Sequence, residues 1–512
     1  MKQSFSVEME KGEKWWGGAV MHGVDMPLGE ESLYQLDNRV NKTYNQTNGL
    51  FTSTHGRYIY IEGEYILKAE NGVLSFTDVT GVTEIAEGFS TLRGAFLAAC
   101  KKYAKRSRKM KKSLLLRPQY CTWMFCGQNQ TQEGILQYAR GIVESGMPAG
   151  LMMIDDGWSY DYGDWRFVAE KFPNPKKLMA ELHALGFEIM IWLVPFINQT
   201  APEYQRLSEE KAFVREKDGS VAMREWWSGK SAVFDLTSPA ARKYIKSVMD
   251  GLREIGVDGF KFDAGDAEYY THDDVTCAPT TPNGQSLLWA QLAAEYEISE
   301  LRACCGMMGE AVVQRLCDKR SNWDDREGLG ALVPGMLQAS MSGYAYCCGD
   351  MIGGGQINPA FRIHSYEEQE ELLLRACQTA ALMPCMQFSY ELWRGNATET
   401  TRQAAKKAAH MRIQLADYFR ETIDRCEENF EPIMRPLEYD FPCQSYESII
   451  DCFMLGEKYL VAPISTRHTT KRTLRLPAGA QWRYVPDGNI YEGGVQVEID
   501  APYDVLPWFE RL

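Results

Sequence analysis

Between about residue 115 and residue 425, short apolar runs alternate with stretches of helical period, and this alternation constrains the fold more than any other feature of the chain. Cys121-Thr-Trp-Met-Phe-Cys126 reads as a strand, and residues 131–143 follow as a helix. Gly150-Leu-Met-Met-Ile-Asp155-Asp156 is a second strand, 176–185 a helix stopped by Gly186, and 187–196 a third strand. Ser238-Pro239 opens another helix with a capping hydroxyl and a proline in the first helical position. It leads into Gly256-Val-Asp-Gly-Phe-Lys261-Phe-Asp263-Ala-Gly-Asp266. Later strands are expected within 300–305, 343–348 and 380–386. A parallel strand needs a crossover to reach its neighbour, and such units repeated over roughly 300 residues fit a closed (β/α)8 barrel better than a short open sheet.

The flanks read differently. Up to about residue 95, alternating runs such as Gly56-Arg-Tyr-Ile-Tyr-Ile61 are split by Asn-Gly turns at Asn48-Gly49 and Asn71-Gly72, and a helix over about 92–111 leads out. Trp15-Trp16 either lines a cleft or packs against a neighbouring domain. Beyond about residue 425 the helix signals stop and strands resume. The expected organisation is therefore an N-terminal β-sandwich with a linker helix (1–110), a catalytic (β/α)8 barrel (111–428) and a small C-terminal β-domain (429–512), in keeping with a length of 512 residues.

A net charge of −14 speaks against a nucleic-acid partner, and the basic run from Lys101 to Lys112 reads as a solvated helix and linker. The start of the chain lacks the apolar run of a signal peptide, and no stretch is long enough to span a membrane. The 14 cysteines are scattered without paired spacing, as expected of buried, reduced thiols in a cytoplasmic protein. The oligomeric state is left open, a homo-oligomer included.

In such a barrel, chemistry sits at the C-terminal ends of the strands. This sequence places there Trp123, Asp155, Asp156, Trp192, Lys261, Asp263, Asp266, Arg302 and Asp350. Lys261 and Asp263 share one face of their strand, either as a buried ion pair or as part of a polar pocket. There is no Gly-rich phosphate loop, no Ser-His-Asp set and no His cluster, so neither a cofactor nor a metal is expected. Two carboxylates with aromatic platforms suit the hydrolysis of a small carbohydrate or glycoside, in which one acid attacks or activates water and the other protonates the leaving oxygen.

Dispersed segments, in order, resemble glycoside hydrolase family 31, the retaining exo-acting α-glycosidases. They are Asn45-Gln46 with Ser53-Thr-His-Gly-Arg57, Ile154-Asp155-Asp156, Trp226-Trp227-Ser-Gly229 with Phe234-Asp235, Lys261-Phe-Asp263, Gly343-Tyr344 with Asp350-Met-Ile-Gly-Gly354, and Met434-Arg-Pro-Leu437. The resemblance implies Asp263 as nucleophile, Asp155 or Asp156 with Trp192, Trp227, Arg302 and Asp350 as sugar contacts, and no metal. The family's usual Trp-x-Gly-Asp is absent. Asp318, five residues before Trp323 and 16 after Arg302 (318 − 302), keeps the spacing of the acid/base, with Asp324, Asp325 and Glu310 as alternatives. Lys261 stands where many α-glucosidases of the family carry Trp. The Ile-Asp-Asp and Lys-Phe-Asp-Ala-Gly stretches look most like the family's myogenesis-regulating glycosidase branch, which implies α-galactosides. α-Glucosides, α-xylosides, sulfoquinovosides and a catalytically silent carbohydrate-binding protein are the alternatives.

Overall fold

The computed structural model of the chain describes residues 3–356 and 369–512. At its centre eight parallel strands close into a barrel in chain order. They are β1 (Gln119–Cys121), β2 (Leu151–Ile154), β3 (Glu188–Leu193), β4 (Gly259–Phe262), β5 (Ile298–Leu301), β6 (Val313–Arg315), β7 (Cys347–Met351) and β8 (Cys385–Phe388). Lateral register puts Trp192 beside Lys261 and Lys261 beside Glu300, so three polar-tipped side chains stand at one level of the barrel. β4 and β5 approach closely at Gly259, where a Cβ would lie 2.0 Å from the carbonyl oxygen of Ile298, a distance only glycine permits.

The crossover helices begin as their sequence dictates. Thr131, Asn174, Ser238 and Thr281 each cap a helix by accepting a backbone N–H from the residue three positions on. The last three are followed at once by proline, which gives up an amide that has no helical partner anyway. The run expected as a strand from Cys121 to Cys126 splits. The strand stops at Cys121 and Trp123–Cys126 form one helical turn, because the amide of Met124 is taken by the Ser389 hydroxyl at the barrel lip. β6 is only three residues long and has no alternation to betray it.

Two four-stranded antiparallel sheets precede the barrel, and a six-stranded sheet with a two-stranded ribbon follows it. Trp15 and Trp16 are fully buried, and the carbonyl of their neighbour Gly17 accepts a hydrogen bond from Gln338 of a barrel helix, so they pack against the next domain. The linker helix ends at Tyr103, short of expectation. In the basic run Lys101, Lys102, Lys105 and Lys109 are exposed as expected, but Arg106 and Arg108 are half-buried: their guanidiniums donate to the carbonyls of Cys426 and Glu427 and of Ala294, Tyr296 and Glu297, fastening the linker to the barrel. Among the described residues no helix is long and apolar enough to cross a membrane.

Arg412 closes the underside of the barrel. It is fully buried and donates to the carbonyls of Leu115, Ala381, Met383 and Pro384, with the ring of Phe419 4.3 Å beneath the guanidinium. Replacing it with methionine keeps the bulk and strands several buried carbonyls. Arg412→Met is therefore expected to cost about 3 kcal/mol or more, read as a lowered midpoint in denaturant unfolding.

Candidate active site

A cavity of about 670 Å³ opens at the C-terminal ends of the strands, a size suited to a small ligand. Its wall includes Asp155, Asp156, Trp192, Trp227, Lys261, Asp263, Arg302 and Asp318, residues far apart in the chain. Trp123, at the lip after β1, lines it too.

Asp263 is the most tightly held carboxylate in it. One oxygen accepts from Arg302 Nε at 2.7 Å and from the amide of Ala264 at 2.8 Å. The other accepts from the indole N–H of Trp192 at 2.8 Å, with Lys261 Nζ 3.7 Å away. Burial on its own would push the Asp263 pKa up. The positive charges of Lys261, Arg302 and Arg315, together with the Trp192 hydrogen bond, reverse that and hold the carboxyl well below the usual range. The side chain is an anion throughout the neutral range, buried, and facing open space.

Lys261 reaches past Asp263 to Asp155 at 2.9 Å, the buried ion pair and the polar pocket being one and the same feature. Asp155 also accepts the Cys121 thiol and the amide of Asp156. Asp156 follows the end of the regular strand, which lets both neighbouring carboxylates reach the cavity. It takes the hydroxyl of Tyr162 at 2.9 Å and the amide of Gly157 at 2.7 Å, and burial raises its pKa to about 6.

Arg302 ties the centre to its surroundings. Besides Asp263 it pairs with Asp266 and donates to the carbonyl of Tyr44, and its guanidinium lies 5.3 Å from the ring of Trp227, which is 53% exposed at the mouth. Trp158 and Trp165 stand behind Trp192 as packing: Trp158 gives its indole N–H to the Trp192 carbonyl.

Asp318 follows β6 on the same cavity, its side chain 37% exposed, with Arg315 Nη1 2.7 Å from Oδ1. Burial raises its pKa, but Arg315 and Lys261 outweigh burial and the negative charge of Asp263, leaving it below the ordinary value. None of the alternative acids lines the cavity. Asp324 caps its own turn through the amides of Arg326 and Glu327, and Glu310 accepts from Ser107. Asp350, at the end of β7, lies outside the cavity lining. Its carboxylate is turned to Arg315 Nη1 at 2.5 Å and to the amide of Lys319 at 2.7 Å.

Beneath these groups, where barrels of this type usually carry branched aliphatic side chains, lies a buried polar layer. Gln387 Nε2 donates to Gln119 at 3.0 Å and to Glu300 at 2.9 Å, and Arg315 stands 3.4 Å from Glu300. Sequence reasoning missed Arg315, although an arginine three residues before Asp318, where the expected Trp-x-Gly-Asp was broken, was the available signal. It also missed the share of the N-terminal domain. Asn45 and Gln46 each donate to the carbonyls of both Arg302 and Arg315, and Met21 and Tyr44 line the cavity.

Residues 118–422 match the glycosyl hydrolases family 31 TIM-barrel domain. The chain belongs to glycosyl hydrolase family 31. Residues 430–511 match the family's C-terminal domain. Among relatives in this family, the mouse (Mus musculus) myogenesis-regulating glycosidase is 32% identical over 76% of this chain and 55% of its own length. An alpha-glucosidase 2 of Bacillus thermoamyloliquefaciens is 25% identical over 74% of this chain and 50% of its own. The chain thus spans about half the length of the curated relatives it matches. In fold, a family 31 alpha-xylosidase from a soil metagenome, complexed with xylose, superposes with a TM-score of 0.84 at 20% identity, covering 100% of this chain and 79% of that one.

Proposed function

We propose that this family 31 chain is a retaining exo-α-glycosidase that hydrolyses terminal α-galactosides by double displacement. The observation that carries the reading is Asp263, a buried carboxylate kept anionic by Lys261, Arg302 and Trp192 at the floor of a cavity that Asp318 also lines. Asp263 attacks the anomeric carbon, and Asp318, protonated, gives its proton to the leaving oxygen. Asp318 then takes a proton from water, which attacks the glycosyl-enzyme from the face the aglycone left. Two inversions return the original configuration. The relative at 32% identity is itself called a glycosidase.

The charge of the cavity bears on the sugar. Among the described residues seven carboxylates line it (Asp155, Asp156, Glu225, Asp263, Glu268, Asp318, Glu327) against three cations (Lys261, Arg302, Lys319). Lys261 and Arg302 are already paired, and Lys319 Nζ rests on the Cys317 sulfur. The excess of carboxylates among the described residues favours a neutral sugar over a sulfonated one, although sulfoquinovosidases stand among the relatives. The choice of galactose rests on the likeness of Ile154-Asp155-Asp156 and Lys261-Phe-Asp263-Ala-Gly, the stretches that build the Asp155–Lys261–Asp263 cluster.

A hydrolysis screen across nitrophenyl α-galactoside, α-glucoside, α-xyloside and sulfoquinovoside tests this. The galactoside is expected to give the highest kcat/KM and the sulfoquinovoside the lowest, by roughly 100-fold or more. A higher value for glucoside or xyloside keeps the mechanism and overturns the sugar. Turnover of none overturns the enzyme in favour of a silent carbohydrate-binding protein.

A further inference from the structure

Double displacement makes opposite demands on Asp318: neutral when the aglycone leaves, anionic when water attacks. The structure shows Asp318 against Arg315, the contact that favours its anion. We propose that Arg315 is a positioning residue that switches Asp318 between the two, holding it as an anion in the orientation seen here and releasing it to take a proton when the guanidinium turns toward Glu300. This rests on Asp318 being the acid/base.

The backbone at Arg315 is fixed, since its carbonyl accepts from both Asn45 and Gln46 at 3.0 Å; only the side chain can turn. Its pivot is Asp350. The same Nη1 that touches Asp318 lies 2.5 Å from Asp350 Oδ1, while Asp350 Oδ2 takes the amide of Lys319, the residue directly after the acid. Asp350 holds this place at φ +94°, a conformation that non-glycine residues rarely adopt. On the opposite side Glu300 Oε1 lies 3.4 Å from Arg315 Nε. Both atoms are buried without a hydrogen-bond partner among the described residues, whereas Glu300 Oε2 is held by Gln387. Two unpartnered buried polar atoms count against the orientation seen, and the contact with Asp318 counts for it. A short turn of the guanidinium makes the missing bond and loosens the grip on Asp318, which then holds the proton it takes from the attacking water, whose oxygen stays on the sugar.

The charges around Asp318 drive the switch in the order that the reaction needs. Arg315 and Lys261 favour its anion, and Asp263 opposes it. Asp350 shares Arg315 Nη1 with Asp318 and is repelled by it, and Glu300 lies on the other side of Arg315; burial is the main cause that raises Asp350 and Glu300, to about 6 and about 7. The negative charge of a free Asp263 opposes the anion of Asp318, so protonation of Asp318 is easier once Arg315 has turned away. Once Asp263 is esterified by the sugar its charge is gone, Asp318 is better as an anion, and Arg315 returns to it.

The test is the pH profile of kcat/KM for a phenyl α-glycoside of the sugar turned over in the screen, whose poor leaving group needs the acid. Removing the cation in Arg315→Gln is expected to move the basic limb up by about one pH unit or more. Glu300→Gln weakens the second seat of Arg315, leaves it on Asp318, and is expected to move the same limb down. A purely structural role lowers the rate at every pH and leaves the limb in place. If Arg315→Gln loses its near-UV circular dichroism, Glu300→Gln decides alone, the amide being able to keep its bond to Gln387. An unmoved limb in the folded variants, or an upward shift in Glu300→Gln, overturns the switch. Failure of the underlying reading shows elsewhere: Asp318→Ala then lacks the leaving-group dependence of an acid/base variant, whatever Arg315 does.

Discussion

Asp263→Asn is expected to lower kcat on an aryl α-glycoside by roughly 10⁴-fold while leaving the protein folded. The amide is isosteric with the carboxyl, its one oxygen can keep the Arg302 Nε–H and the Ala264 amide, and it has no charge with which to attack the anomeric carbon. The fold tolerates the change because neither flanking cation is orphaned. Lys261 keeps Asp155 at 2.9 Å, and Arg302 keeps Asp266 at 2.5 Å. The measurement is steady-state turnover beside a thermal unfolding midpoint. A residual rate above about one part in a hundred with an unchanged midpoint removes Asp263 from the reacting atoms. Sugar binding by the variant should survive, since Asp155, Asp156 and Trp227 are untouched.

What the sequence disclosed about this site follows from how local each signal is. Asp155, Asp156 and Asp263 each close a run of apolar residues that is itself a strand, so strand and carboxylate are legible together within a few positions. The helix starts at Asn174-Pro175, Ser238-Pro239 and Thr281-Pro282 are local in the same sense. Arg315 has no such context. Its strand is three residues long, and its partners Glu300, Asp318 and Asp350 come from three different strand ends. Asn45 and Gln46 act on carbonyls more than 250 positions away, and no run of sequence around them records that contact. Asp350 illustrates the converse. Its position at a strand end is legible, but whether its carboxylate faces the cavity or the arginine behind it depends on a positive φ that composition does not foretell. The polar layer of Gln119, Glu300 and Gln387 hides for a related reason, because each residue is an isolated position in a short, largely apolar strand and only barrel closure brings the three together.

Asp318→Ala separates the two half-reactions, and its expected signature is specific to an acid/base. With a phenyl or alkyl leaving group the departing oxygen needs a proton, and kcat/KM is expected to fall by roughly 10³-fold. With a dinitrophenyl leaving group the first step needs little help, so kcat/KM falls far less while the second step, robbed of its base, becomes rate-limiting. The glycosyl-enzyme on Asp263 then accumulates and release of the phenol shows a burst. Azide, a nucleophile that needs no deprotonation, should restore turnover and give a glycosyl azide of retained configuration. Removing this side chain is mild for the fold: it is 37% exposed, and Arg315 keeps Asp350 at 2.5 Å. Asp324→Ala, which alters a turn outside the cavity, serves as the control and should show none of this behaviour. Equal losses for good and poor leaving groups, with no rescue by azide, assign the proton to another group. Activity at the parent level with the phenyl substrate excludes Asp318 altogether.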